Sequence, residues 1–145
     1  MLMRALLLIT LALALLAGCG DDDGGGGGKP ALAGTLIYER GGGIAGRRDR
    51  LVVAPDGRAK VTVRDTTREV ELKPQELDRI AAEVEKADLP SVPERSTSPK
   101  PIADAFAYRI QYGTSEVTTD DPAMPDELRS LVARLGQLVD RYERR

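Results

Sequence analysis

Twice along this chain, an alternation of apolar side chains gives way at a proline to a stripe spaced three and four residues apart. A period of two buries one face of a strand and a period near 3.6 buries one face of a helix, so this double switch constrains the fold most. In the first half, Thr35 to Glu39 is rich in strand formers, and Leu51-Val52-Val53 is a second strand. The turn Pro55-Asp56-Gly57 follows, where Pro presets φ and Gly accepts the left-handed position. Ala59, Val61 and Val63 then alternate with Lys60, Thr62 and Arg64, and Val70 and Leu72 continue the pattern between charged residues. At Pro74 the period changes: Leu77, Ile80, Ala81 and Val84 form one helical stripe that ends near Leu89-Pro90.

The second half repeats the order. Residues 90–101 carry four prolines and read as a long exposed loop. Phe106, Tyr108, Ile110 and Tyr112 alternate strictly, Gly113-Thr114 turns the chain, and Ser115 to Thr119 supplies a hairpin partner. Pro122 to Asp126 leads into a last helix striped by Leu128, Leu131, Val132, Leu135, Leu138, Val139 and Tyr142, a pattern expected of core packing. Strands, helix, strands, helix with hairpin connections predict an α+β fold: an antiparallel β-sheet of about four to five strands packed against two helices.

The N-terminus belongs to a different physics. Ala5 to Leu16 is twelve residues long and apolar but for Thr10, the size of a signal-peptide core and too short to span a bilayer as a helix. It ends in Leu16-Ala17-Gly18-Cys19, which resembles the lipobox of bacterial lipoproteins. The resemblance implies cleavage between Gly18 and Cys19 and lipidation of Cys19, the single cysteine of the chain. It also implies a firm anchor, since two or three acyl chains hold where one would be marginal. The expected organisation is a cleaved segment 1–18, a lipidated cysteine and Asp/Gly linker 19–31, and a folded domain 32–145. Three aspartates and five consecutive glycines in the linker cannot bury anything, and Asp21, Asp22 and Asp23 lack the spaced ligands and closing bidentate acid of a calcium site.

Composition removes several function classes. The formal charge of −2 becomes −3 when Arg4 leaves with residues 1–18, no basic tract is present, and aromatic residues are 3% of the chain, so no nucleic acid partner is expected. There is no histidine, which excludes zinc sites and histidine-dependent nucleophilic systems as ordinarily built. Asp120-Asp121 would point to opposite sides of a strand end, poor geometry for shared acid–base work. The expectation is a non-enzyme with no cofactor and no bound metal. Arginine outnumbers lysine 16 to 5, which fits a high-GC host. The expected location is therefore the extracytoplasmic face of a Gram-positive cell membrane, or an outer membrane if the host is Gram-negative.

Gly41-Gly42-Gly43-Ile44-Ala45-Gly46 matches G-x-G-x-x-G letter for letter. A dinucleotide turn, however, must open a helix, and here Arg47-Arg48-Asp49-Arg50 and a strand follow. What remains open is either a passive glycine-rich hairpin or a binding loop with Ile44 at its tip and Arg47 and Arg48 beside it.

The run Arg40 to Gly46 resembles the R-x-G-G-Φ-A-G stretch of the emfourin family, small bacterial proteins named for inhibiting the thermolysin-like metallopeptidase protealysin. Leu72 to Leu77, Asp104 to Ile110 and Pro125 to Leu138 resemble further motifs of that family in the same order, so the resemblance covers about Leu36 to Tyr142. Here arginines follow Gly46 directly, where an aliphatic residue commonly comes first in the family. The resemblance implies a tethered inhibitor of a secreted metallopeptidase, with the loop Gly41, Gly42, Gly43, Ile44, Ala45, Gly46, Arg47 and Arg48 in the protease cleft. Ile44 would enter an apolar pocket and the two arginines would steer toward an acidic rim. The alternative is a non-catalytic envelope lipoprotein that acts as a structural or protein-interaction module. A small-ligand carrier is a third option, for which the sequence offers no convergent polar groups.

Overall fold

A computed structural model describes residues 31–100 and 102–144. Cys19, the Gly18–Cys19 junction and the linker before residue 31 lie outside the described residues. Along the chain run β1 (Leu36–Gly42), β2 (Arg47–Val53), β3 (Arg58–Val63), β4 (Thr66–Glu71), α1 (Pro74–Ala87), a 3-10 turn (Leu89–Ser91), β5 (Arg95–Ser96), β6 (Phe106–Tyr112), β7 (Ser115–Asp120) and α2 (Asp126–Glu143). The fold is α+β. All seven strands join one sheet in the order β4-β3-β2-β1-β6-β7-β5, larger than the four to five strands expected, and mixed rather than purely antiparallel.

The extra strands have physical causes. The Val70 segment is a strand of its own, because the chain reverses at Arg64-Asp65 and pairs β4 back on β3. β5 arises inside the proline-rich stretch, where two residues pair parallel to β7. A two-residue strand carries no alternation to read, and its edge position tolerates flanking prolines. The stretch is also held by two serines. The Ser98 N–H and hydroxyl donate to Asp120 at 2.7 and 3.0 Å, and Ser96 Oγ donates to the Ala123 carbonyl at 2.8 Å.

Each helix begins as its sequence requires. Pro74 occupies the first turn of α1, and Glu76 accepts from the Lys73 N–H at 3.3 Å. Pro125 caps α2, and Asp126 and Glu127 complement the positive end of its dipole. Leu77, Ile80 and Val84 of α1 join Leu128, Leu131, Val132, Leu135, Leu138 and Val139 of α2 in one buried cluster. The cluster includes Leu36 and Tyr38 of β1, Leu51 and Val53 of β2, Val61 of β3, Ile110 of β6 and Val117 of β7. Each fully buried aliphatic there contributes about 1.5–3 kcal/mol. Both helices therefore cover one face of the sheet, and Glu76 of α1 is bonded to Arg141 of α2. Among the described residues, no helix is long and apolar enough to cross a membrane.

Candidate functional site

The central strand β1 and its neighbour β2 form a hairpin whose pairing runs without interruption from Leu36↔Val53 to Gly42↔Arg47. The expected wide loop from Gly41 to Arg48 is therefore smaller. Gly41, Gly42, Arg47 and Arg48 are strand residues, and only Gly43, Ile44, Ala45 and Gly46 form the turn, closed by the Gly46 N–H donating to the Gly43 carbonyl at 3.0 Å. No helix follows Gly46, so nothing at this turn provides the N-terminal end that a dinucleotide would need.

Alternation along β1 and β2 carries charge onto the covered face. Below Leu36 and Tyr38 comes Arg40, and below Val53 and Leu51 come Asp49 and Arg47. The Asp49 side chain is fully buried, and its Oδ2 accepts from Arg40 Nε and Arg47 Nε, each at 2.9 Å. Arg40 also bonds Asp140 of α2 at 2.6 Å, and Arg47 bonds Glu143 at 2.9 Å. Burial alone would lower the Arg40 pKa, but its hydrogen bonds to Asp140 and Asp49 outweigh that and hold it above its ordinary value. The Arg47 pKa is raised in the same way: Asp49 and Glu143 outweigh its burial. Arg47 is thus committed inward to Asp49 and to the end of α2.

A second layer lies beneath the turn. Arg40 stacks over the Phe106 ring at 5.3 Å. That ring reaches Gly43, where an added Cβ would stand 2.7 Å from it, and Gly43 adopts φ +68°, so this position demands glycine. The Gly43 N–H donates to the Ala105 carbonyl at 3.2 Å. Tyr108 donates to Asp121 at 2.6 Å, and Asp121 also accepts the Phe106 N–H at 2.7 Å. Burial, then that bond to Asp121, pushes the Tyr108 phenol well above its usual range. Burial also raises Tyr38, whose hydroxyl has no hydrogen-bond partner among the described residues. Asp120 and Asp121 point apart, as read from the sequence, each serving the ends of neighbouring segments.

The tip has no such ties. Ile44 is 88% exposed, and Ala45 and Gly46 are exposed beside it. The open face of the sheet behind the tip is cationic. A shallow depression of about 400 Å³ lies over Gly41 and Ala107, rimmed by Arg48, Arg50, Arg64 and Arg109. Arg50 is paired with Glu39 and Arg109 with Glu116, whereas Arg48 and Arg64 have no ion pair among the described residues. Arg64 was not singled out by sequence. It sits at φ 54°, a left-handed conformation uncommon for arginine, with its N–H donating to the Arg48 carbonyl at 2.7 Å. Among the described residues no group of three side chains could hold a metal ion.

No known protein-family profile matches the chain, and no curated protein matches it.

Proposed function

We propose that the chain is a lipid-anchored, extracytoplasmic inhibitor of a thermolysin-like metallopeptidase, acting by occlusion rather than by chelation. The observation that carries this reading is Ile44, a large aliphatic side chain left in water at the tip of a turn whose base is fixed. A side chain presented on an ordered hairpin loses little conformational freedom on binding, which is how a short contact reaches useful affinity. The four emfourin-like motifs supply the class of partner, and the lipobox at Cys19 supplies the anchor. Steering toward an acidic cleft rim falls to Arg48 and Arg64, whose charges are uncompensated, rather than to Arg47.

The test is a titration of a purified thermolysin-like metallopeptidase with the full chain in mild detergent. Stoichiometric loss of peptidase activity is expected. Full activity against several such enzymes, with the domain folded, would overturn the inhibitor reading in favour of a non-enzymatic envelope module that uses the same tip on another protein.

A further inference from the structure

Two large apolar side chains are exposed among the described residues, Ile44 and Ile102, the latter at 55%. Scattered exposed hydrophobics are ordinary, but these two are not scattered. Ile102 opens a turn closed by the Ala105 N–H donating to its carbonyl at 3.1 Å, and the Ala105 carbonyl in turn accepts the Gly43 N–H. The two turns are therefore bonded side by side at one end of the sheet. Their contact is close: a Cβ on Gly42 would stand 2.8 Å from the Ala105 carbonyl oxygen. The second turn is fixed from behind as well, because Phe106 and Asp121 exchange hydrogen bonds at 2.7 and 3.0 Å. Neither Ile44 nor Ile102 packs against the core cluster.

We propose that Ile102 is a second contact of the recognition edge, so that the edge carries two aliphatic prongs and its partner has two neighbouring apolar subsites. The inference rests on the inhibitor reading and narrows its target to a metallopeptidase that accepts aliphatic residues at two positions of its cleft. Joined turns present both side chains in a fixed relation, so the second prong adds buried apolar area without a second ordering cost. Loss of one such side chain is expected to weaken inhibition on the order of tenfold.

The experiment measures inhibition of a thermolysin-like metallopeptidase by the full chain in mild detergent, comparing wild type with Ile102→Ala, Ile102→Asp, Ile44→Ala, Ile44→Asp and an Ile44→Ala/Ile102→Ala pair. Both Ile102 variants should keep the wild-type Tm. Ile102→Ala should raise Ki about tenfold, Ile102→Asp should raise it further, and the paired variant should show the product of the single alanine effects. Unchanged Ki for both Ile102 variants, while Ile44→Asp abolishes inhibition, would overturn the second prong and leave the inhibitor reading standing. A Tm drop in both Ile102 variants would make the side chain structural and also overturn it. Absence of inhibition by the wild type would overturn the inhibitor reading and this inference with it.

Discussion

The two ends of the β1–β2 hairpin are built on opposite principles. At its base, Arg40, Arg47 and Asp49 place three charges under α2, where Asp140 and Glu143 complete the network. At its tip, four residues beyond Arg40, Ile44 touches nothing in the core. Evolution toward stability alone would reverse this arrangement, with the aliphatic inside and the charges in water. The charged base fixes the hairpin against α2, and the aliphatic tip takes no part in holding the fold.

The largest effect should come from breaking the base. Asp49→Ala leaves Arg40 and Arg47 facing one another without their buried acceptor, and a broken buried pair costs about 3–5 kcal/mol. Urea unfolding of the full chain in mild detergent should show that loss, and a change below about 1 kcal/mol would mean the network is dispensable. Next comes the underside of the turn. Gly43→Ala meets both the Phe106 ring and an unfavourable φ, whereas Gly46→Ala, at φ +56° with open space around it, meets only the backbone penalty. Gly46→Ala should cost about 1–2 kcal/mol and Gly43→Ala clearly more. Equal costs would show that Phe106 yields.

Alkali probes the same contrast, because both tyrosines with raised pKa lie on the covered face beside the base. Each phenol keeps its proton in the fold above the pH at which an unfolded chain releases it, near 10. Their contribution is therefore complete below about pH 10 and declines as pH rises toward the elevated folded values. Tyr38→Phe should flatten that decline. It should change neutral-pH stability little, since its hydroxyl bonds nothing among the described residues. An unchanged alkaline slope would contradict the burial of Tyr38. At the acid end the sign is opposite. Hydrogen bonding to Arg141 lowers Glu76, and the Ser98 N–H lowers Asp120, so stability present above about pH 4 should be lost as pH falls through the depressed folded values.

The scaffold was legible where periodicity was long. Both helices, the Phe106–Tyr112 strand and the α2 stripe follow from spacing alone. β5 was not legible, because two residues between prolines have no period, and it exists through pairing with β7 and through side-chain bonds to Asp120 and Ala123. The turn is narrower than its sequence suggests, because glycines and arginines look like a coil. In the sheet, neighbours on both sides of β1 supply the pairing that propensity does not. The inward role of Arg47 was present in the alternation of β2, since Arg47 and Asp49 share the phase of Leu51 and Val53, but its partners Asp140 and Glu143 are distant in sequence. Arg64 could not be singled out, because its place beside Arg48 depends on how β3 turns into β4.

The most direct test of the central claim pairs two readouts on one variant, the Tm and the inhibition of a thermolysin-like metallopeptidase by the Ile44→Asp chain. A stability change within about 0.5 kcal/mol, as for any exposed site, is expected together with loss of inhibition. A large drop in Tm, or inhibition that survives the charge, would contradict the separation of a structural base from a recognition tip.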